Sequence, residues 1–407
     1  FADRFSAADA WRATVEYAVN NQVDAVLLAG DVVDQDNKFF EALGPLEAGL
    51  ERLADAGIHT FAVSGNHDYD VLVRLADGFD PAHFQLLGRG GSWERTILQS
   101  AGETVQIVGW SFPEERVHDN PLAVFPYSEI DTSLPAVGLL HADIDSAASD
   151  YAPVRRMEFS ATSVPIWVVG HIHNPAFLEA DASSTAILQP GSPLGLDPGP
   201  GERGTHGPWL IEIHGADLRV EHIGLAPVAY AAMRVSVDGT TRISEVQQVL
   251  REQIDAAVEQ RLQKQQALAV LSLRLSFVGR SEVAPQEIDG LCRDFDVSPY
   301  SPHGVRVGFN GWQVDVHLPV DTRQLAYGDG LLARLCRIIE ALEQDSADDS
   351  VEPLLSTVDT DLGALYAAPV FLPLSADRPC RAEQKTLLLQ QARRLLDTLL
   401  RQREANG

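Results

Sequence analysis

Four short apolar runs in this chain each end on a cluster of glycine, carboxylate, asparagine or histidine, and this repetition narrows the folds open to it. The run 24–29 leads into Gly30-Asp31-Val32-Val33-Asp34, and 59–63 into Gly65-Asn66-His67-Asp68. The run 137–140 ends on His141, and 166–169 leads into Gly170-His171-Ile172-His173. Short continuous apolar stretches suit strands buried on both faces and covered by helices. Ligands in such sheets bind outside the carboxyl ends of the strands. Parallel strands would therefore bring Asp31, Asn66, His67, His141 and His171 to one edge.

The segments between and after these runs predict the rest of the architecture. Helical spacing covers 8–20 and 39–56, where Leu43, Leu46, Leu50 and Leu53 share a face and Gly57 is the stop. Further strands are expected at 105–110 and 186–188. Turn signals begin at Leu188-Gln189-Pro190-Gly191-Ser192-Pro193, and 209–214 and 218–223 alternate about Gly215-Ala216-Asp217 as a hairpin. Beyond 224–230 the pattern predicts a helix over 244–266, a strand over 268–278, and a strand or hairpin around Asn310-Gly311. An acidic stretch at 344–349 precedes a helix over 381–404. Its stripe of Leu388, Ala392, Leu395, Leu396 and Leu399 fits packing on its own domain as well as on a partner. A chain of 407 residues can hold two or three cores. The expected division is 1–226, then 227–345 as a smaller α+β domain, then 346–407 as a C-terminal helical region.

The chemistry of the clusters is that of hard divalent cations. A carboxylate such as Asp31 has two oxygens and can bridge two ions, asparagine offers a neutral oxygen, and imidazole suits manganese, iron or zinc. His171 and His173 lie two apart, so their side chains diverge in an extended loop, which suits two neighbouring metals better than one. Two ions roughly 3.5–4 Å apart clamp the attacking and leaving oxygens of an in-line displacement. The remaining histidines read as ordinary. His206 is the one to check, because its loop, Arg203-Gly204-Thr205-His206-Gly207, could border the cleft.

The net charge of −27 argues against long-range attraction to nucleic acid unless a local basic strip corrects the field. Arg89, Arg95, Arg155 and Arg156 are the candidates for that strip. Cys292, Cys336 and Cys380 are too few and too far apart for a disulfide framework, so a reducing cytoplasm is the expected setting. No run approaches the roughly 20 apolar residues of a membrane span.

The series Gly30-Asp31-x-x-Asp34, Gly65-Asn66-His67-Asp68, His141 and Gly170-His171-x-His173 resembles the calcineurin-like metallophosphoesterases, over roughly 1–223. The helix before the Asp24 strand and Gln189-Pro190-Gly191-Ser192 look like the SbcD/YhaO-type DNA repair exonuclease branch. The resemblance implies a four-layer α/β/β/α sandwich followed by a smaller α+β capping domain and a C-terminal helix. It implies exonuclease or endonuclease hydrolysis of DNA with two Mn²⁺ ions, Fe²⁺ or Zn²⁺ being the other metals to consider. Asp31 would bridge the two ions, Asn66, His141 and His171 would complete one site, and His173 would belong to the other. A hydroxide activated by the two metals would attack. His67 would protonate the leaving alkoxide, with Asp68 orienting its ring, a role that suits an imidazole near neutral pH. A coiled-coil ATPase subunit is the implied partner, with 381–404 as its candidate contact, and a homodimer stays open. The competing readings are a phosphatase or cyclic-nucleotide phosphodiesterase on the same fold, and a non-catalytic scaffold with a degenerate site. The family's first Asp-x-His block is not in the sequence. Asp3-Arg4-Phe5 has no histidine, and the motif is expected to lie upstream of Phe1.

Overall fold

The computed structural model describes residues 5–34, 43–100, 102–181, 184–215, 217–297, 300–344, 351–366 and 378–406. The chain divides into two compact units. The first is Phe1–Ala232, Asp255–Arg274 and Pro299–Asn310, and the second is Met233–Ile254, Leu275–Ser298 and Gly311–Gly407.

The first unit opens with α1 (Ala7–Asn20), whose start is set by a capping box. The Ser6 hydroxyl accepts from the Asp9 amide while the Asp9 carboxylate accepts from the Ser6 amide, so the two ends of the first turn are tied reciprocally. Next come β1 (Ala25–Ala29), α2 (Leu43–Asp55), β2 (His59–Val63), α3 (Val71–Ala76) and β3 (Phe84–Leu86). Strands β1, β2 and β3 form a parallel sheet in that order. They are followed by β4 (Trp93–Ser100), β5 (Glu103–Trp110), β6 (Ala136–His141), α4 (Arg156–Phe159), β7 (Ile166–Gly170), β8 (Ala176–Leu178) and β9 (Ala186–Gln189). Their strands make a second sheet in the order β4-β5-β6-β7-β9-β8, with β5, β6, β7 and β9 parallel and β4 and β8 antiparallel at the edges.

The layers follow from where the apolar faces go. Ala29, Phe61 and Val63 of the first sheet meet Ile107, Val137, Leu139, Ile166, Val168 and Leu188 of the second in one buried cluster. The outer face of the first sheet, through Ala62 and Leu86, packs on Leu46 and Leu50 of α2 and Leu72 and Leu75 of α3. Trp110, Leu140, Trp167 and Val169 on the outer face of the second pack with Phe125, Val154 and Phe159. The result is a mixed α/β fold with two stacked sheets. Its last layer is thin: among the described residues it holds α4 and short 3-10 turns. Pro113, Pro121, Pro126, Pro135, Pro153 and Pro165 keep that part of the chain from forming long helices.

β10 (Trp209–His214) and β11 (Asp217–His222) form the expected antiparallel hairpin. Trp209 pairs with His222 across it, and their rings stack with centroids 4.2 Å apart at 9°. Burial, with a smaller push from His206, lowers the His222 pKa to about 4 against a hydrogen bond to the Gly207 backbone. An unfolded His222 takes a proton near its ordinary value of 6.5, whereas the folded one waits until about 4. The unfolded state therefore binds more protons in that window, and stability falls as pH drops from 6.5 towards 4. We expect His222→Phe, which keeps the stack, to recover about 1–2 kcal/mol at pH 4.5 but little at pH 8, after allowing for the ring's partial exposure. Chemical denaturation at the two pH values measures the difference.

β12 (Val228–Ser236), α5 (Ile243–Leu262), β13 (Val270–Arg280) and β14 (Arg306–His317) each have residues in both units, and the three strands form a sheet in that order. β14 runs straight through Asn310-Gly311 as a single strand, so the hairpin alternative does not occur. The second unit also contains α6 (Pro285–Val297), α7 (Thr322–Ala326), α8 (Leu331–Glu343), α9 (Glu352–Tyr366) and α10 (Arg381–Asn406). The stripe of α10 is largely spent on this unit: Ala392, Leu396 and Leu400 are buried with Leu335, Ile339 and Leu342 of α8, while Leu395 is exposed. Of the sequence expectations, the start of the second helix at 39–42, Asp3-Arg4 and the acidic boundary at 345–349 lie outside the described residues. Among the described residues no helix is long and apolar enough to cross a membrane.

Candidate metal centre

The loops after β1, β2, β6 and β7 do meet. The chain leaves β1 through Gly30 and Asp31, both at positive φ, +85° and +52°. That turn holds the Asp31 carboxylate against the loop that follows β2. The packing is tight enough that a Cβ on Gly65 would strike the Asp31 carboxylate, and one on Gly170 the Ala29 carbonyl. Glycine is needed at both positions because the backbones approach so closely.

His141 is fully buried at the centre. Its Nδ1 lies 3.0 Å from the Ala29 carbonyl oxygen, which can only accept, so that nitrogen carries the proton. Its Nε2 then presents a lone pair 3.0 Å from Asn66 Oδ1 and 3.2 Å from Asp31 Oδ2. Three acceptors thus converge on one point. Such a cluster demands positive charge, either a second proton on the ring or a cation. The titration behaviour reflects that demand. Burial alone would lower His141, yet its bond to and attraction by Asp31, with the Ala29 carbonyl, raise it above its ordinary value. Burial alone would likewise raise Asp31, but His141 and the His67 amide bring it below its ordinary value. A divalent cation satisfies the same lone pairs, and the donor set of carboxylate, amide oxygen and imidazole suits one.

His171 completes the group. Ligand atoms of Asp31, His141 and His171 all lie within 4.8 Å of one another. The His171 and His141 rings meet edge to face, centroids 5.3 Å apart. Burial and the neighbouring His141 charge lower the His171 pKa, which keeps the ring in its neutral, ligating form. Asp143 Oδ2 stands 4.0 Å from His171 Nε2.

The residues expected to do acid–base work are arranged differently from the sequence reading. The His67 amide donates to Asp31 Oδ1 at 2.9 Å, and its ring is about half exposed, with Nδ1 3.1 Å from Asp34 Oδ1. Asp68 does not orient that ring. It is fully buried, its Oδ1 accepting from the Gly65 amide at 2.7 Å and its Oδ2 from the Val32 amide at 2.6 Å and the Val33 amide at 3.4 Å. Both oxygens are occupied in tying the β1 loop to the β2 loop. Burial, then the charge of Asp31, push its pKa to about 6 against those amides.

His173 stands apart from this cluster. More than half of its side chain is exposed, and its Nδ1 lies 2.7 Å from Glu202 Oε1. The proposed basic strip is partly spent on local contacts, since Arg89 pairs with Asp77 at 2.7 Å and Arg95 reaches the Gln106 side chain at 3.4 Å. Three neighbours carried no assigned role in the sequence reading: Asp34, Asp143 and Glu202. The Gly30-Asp31-x-x-Asp34 spacing could have flagged the first. Asp143 lies just after His141, whereas nothing local marks Glu202.

Residues 4–175 match the family model of the calcineurin-like phosphoesterases. Over 217 residues the chain is 25% identical to a Bacillus subtilis protein named uncharacterized metallophosphoesterase YhaO, a match covering 52% of this chain and 50% of that protein. The chain therefore spans about half the length of that curated relative. A solved structure, GAP50, the anchor in the inner membrane complex of Plasmodium, is matched at 13% identity over 45% of this chain and 65% of that one. Its TM-score of 0.28 is too low to assign a fold. Residues 4–175 are thus similar to the calcineurin-like phosphoesterases, and within that stretch Asp31, His141 and His171 converge as a group that could hold a metal ion.

Proposed function

We propose that this centre hydrolyses phosphodiester bonds with Mn²⁺ as its resident ion and DNA as its substrate. The observation that carries the hydrolytic reading is the convergence of Asp31, Asn66 and His141 acceptors beside His171. Asp31, Asn66, His141 and His171 would hold one cation, and His173 with Asp31 a second. When bound, such ions supply Lewis acidity toward phosphoryl and nucleophile oxygens.

The remaining steps fall to side chains. Asp68 fixes the distance between the two ligand-bearing loops. The Asp34 carboxylate beside His67 Nδ1 favours the tautomer with its proton there. Protonation of Nε2 then makes the half-exposed ring an acid for the leaving oxygen. We expect His67→Ala to lower kcat about 10²–10⁴-fold on a small diester while Mn²⁺ affinity holds, since the Asp31 contact is made by the His67 backbone. Unchanged kcat would remove His67 from the reaction.

The DNA assignment rests on the resemblance of the sequence motifs. A second reading, a phosphatase or cyclic-nucleotide phosphodiesterase, is favoured by the net charge of −27 and by the neutralisation of Arg89 by Asp77. The deciding experiment loads the full chain with Mn²⁺ and compares linear DNA, circular single-stranded DNA and a small diester. Hydrolysis of the small diester alone would overturn the nuclease reading.

A further inference from the structure

The stretch after β9 folds back over His173 and does so through buried polar contacts. Glu202 is 5% exposed although it carries a carboxylate. Its Oε1 lies 2.7 Å from His173 Nδ1, and its Oε2 accepts from the Leu196 amide at 3.2 Å. Its own carbonyl lies 3.0 Å from Nε2 of the fully buried His206, whose Nδ1 is 2.8 Å from the Ser192 carbonyl. The Ser192 amide in turn donates to the His173 carbonyl at 2.9 Å. His206 therefore sits between the Ser192 and Glu202 carbonyls, donating to one of them as a neutral ring, and the two stretches close on His173 from both its backbone and its ring.

We propose that Glu202 is a positioning residue that fixes the tautomer and direction of His173, and that His206 holds Glu202 in place. A carboxylate can only accept, so Nδ1 of His173 carries the proton and Nε2 is left as the bare nitrogen, the one able to take a cation. Burial of Glu202 keeps water from competing for Nδ1. The metal part of this assignment rests on the phosphodiesterase reading above, whereas the tautomer part does not.

Two substitutions separate the possibilities. In Glu202→Gln the Leu196 amide claims the side-chain oxygen, so the amide NH₂ faces His173 Nδ1. That donor reverses the tautomer and places a proton on Nε2, where a cation would bind. Glu202→Ala removes the contact altogether. Nitrogen-15 NMR of the metal-free full chain should show His173 protonated at Nδ1 in wild type, reversed in Glu202→Gln and mixed in Glu202→Ala. Mn²⁺ affinity by calorimetry should fall roughly 10- to 100-fold in both variants, alongside a larger loss in His173→Ala. If Glu202→Ala does not fold, the near-isosteric Glu202→Gln still decides. An unchanged tautomer in Glu202→Gln, or an unchanged Mn²⁺ affinity where His173→Ala lowers it, would overturn the proposal and leave the phosphodiesterase reading intact. If wild type binds no Mn²⁺, the phosphodiesterase reading and the metal-binding role fall together, and the tautomer result alone then judges the contact with Glu202.

Discussion

Asp31→Asn should abolish Mn²⁺ binding while leaving the fold as stable as before, and should lower kcat/KM by about 10³-fold, the order expected when several kcal/mol of electrostatic stabilisation are lost. The reason lies in how Asp31 is shared. One oxygen accepts from the His67 amide at 2.9 Å and the other faces His141 Nε2 at 3.2 Å. An asparagine can turn its oxygen to the amide and its NH₂ to the His141 lone pair. The cluster then closes on itself, its demand for positive charge gone, and no cation is needed. In wild type, Mn²⁺ at 100 times its Kd should add about 2.7 kcal/mol of stability. For a unit of this size that is roughly 5–10 °C in Tm. Thermal melts with and without Mn²⁺ would show the shift in wild type and none in the variant. A full shift in Asp31→Asn would mean the cation binds elsewhere.

Asp68→Asn should do the opposite and damage the fold of the site before its chemistry. The Asp68 oxygens receive amides on both sides, from Gly65 and from Val32 and Val33. An asparagine can accept on one side only, and its NH₂ then faces an amide donor in a buried place. The loss should be about 2–4 kcal/mol, with a fall in Tm of roughly 5–12 °C. The substitution should also change the dependence on pH in metal-free protein. The folded carboxyl takes its proton near pH 6, the unfolded one only near its ordinary 3.8. The folded state therefore binds more protons between those values, so this contribution is fully present at the acid end and is lost as pH rises through about 6. Its size is about 2–3 kcal/mol. Urea unfolding at pH 4.5 and 7 in a chelator should show wild type losing that amount relative to Asp68→Asn. Parallel pH profiles would show that Asp68 is not the strained group.

The parts of the fold that were legible in the sequence are those governed by local pattern. The apolar runs of β1, β2, β6 and β7 stand out in the sequence, β2, β6 and β7 being mostly buried and β1 half-buried, and each is followed at once by its cluster. β3 and β8 escaped notice because three residues carry no periodicity. β4 escaped because it is an edge strand, with Glu94 and Arg95 exposed among its half-buried positions. The proline-broken fourth layer is also written in the chain, although the resemblance led to helices there.

The site divides in the same way. Asp31, Asn66, His141 and His171 were identifiable as ligand-type residues, because a sheet of parallel strands sends the loops at their carboxyl ends to one edge. Which carboxylate meets which histidine was decided by contacts far apart in the chain: Asp34 with His67 across 33 residues, and Glu202 with His173 across 29. Adjacency in sequence had suggested Asp68 for His67, but a buried carboxylate surrounded by free amides is claimed by them first. The residue types and their order thus determined that a metal-type cluster would form and from which strands. Only the folded chain decided the protonation, orientation and pairing of those side chains, because these depend on what is buried beside them.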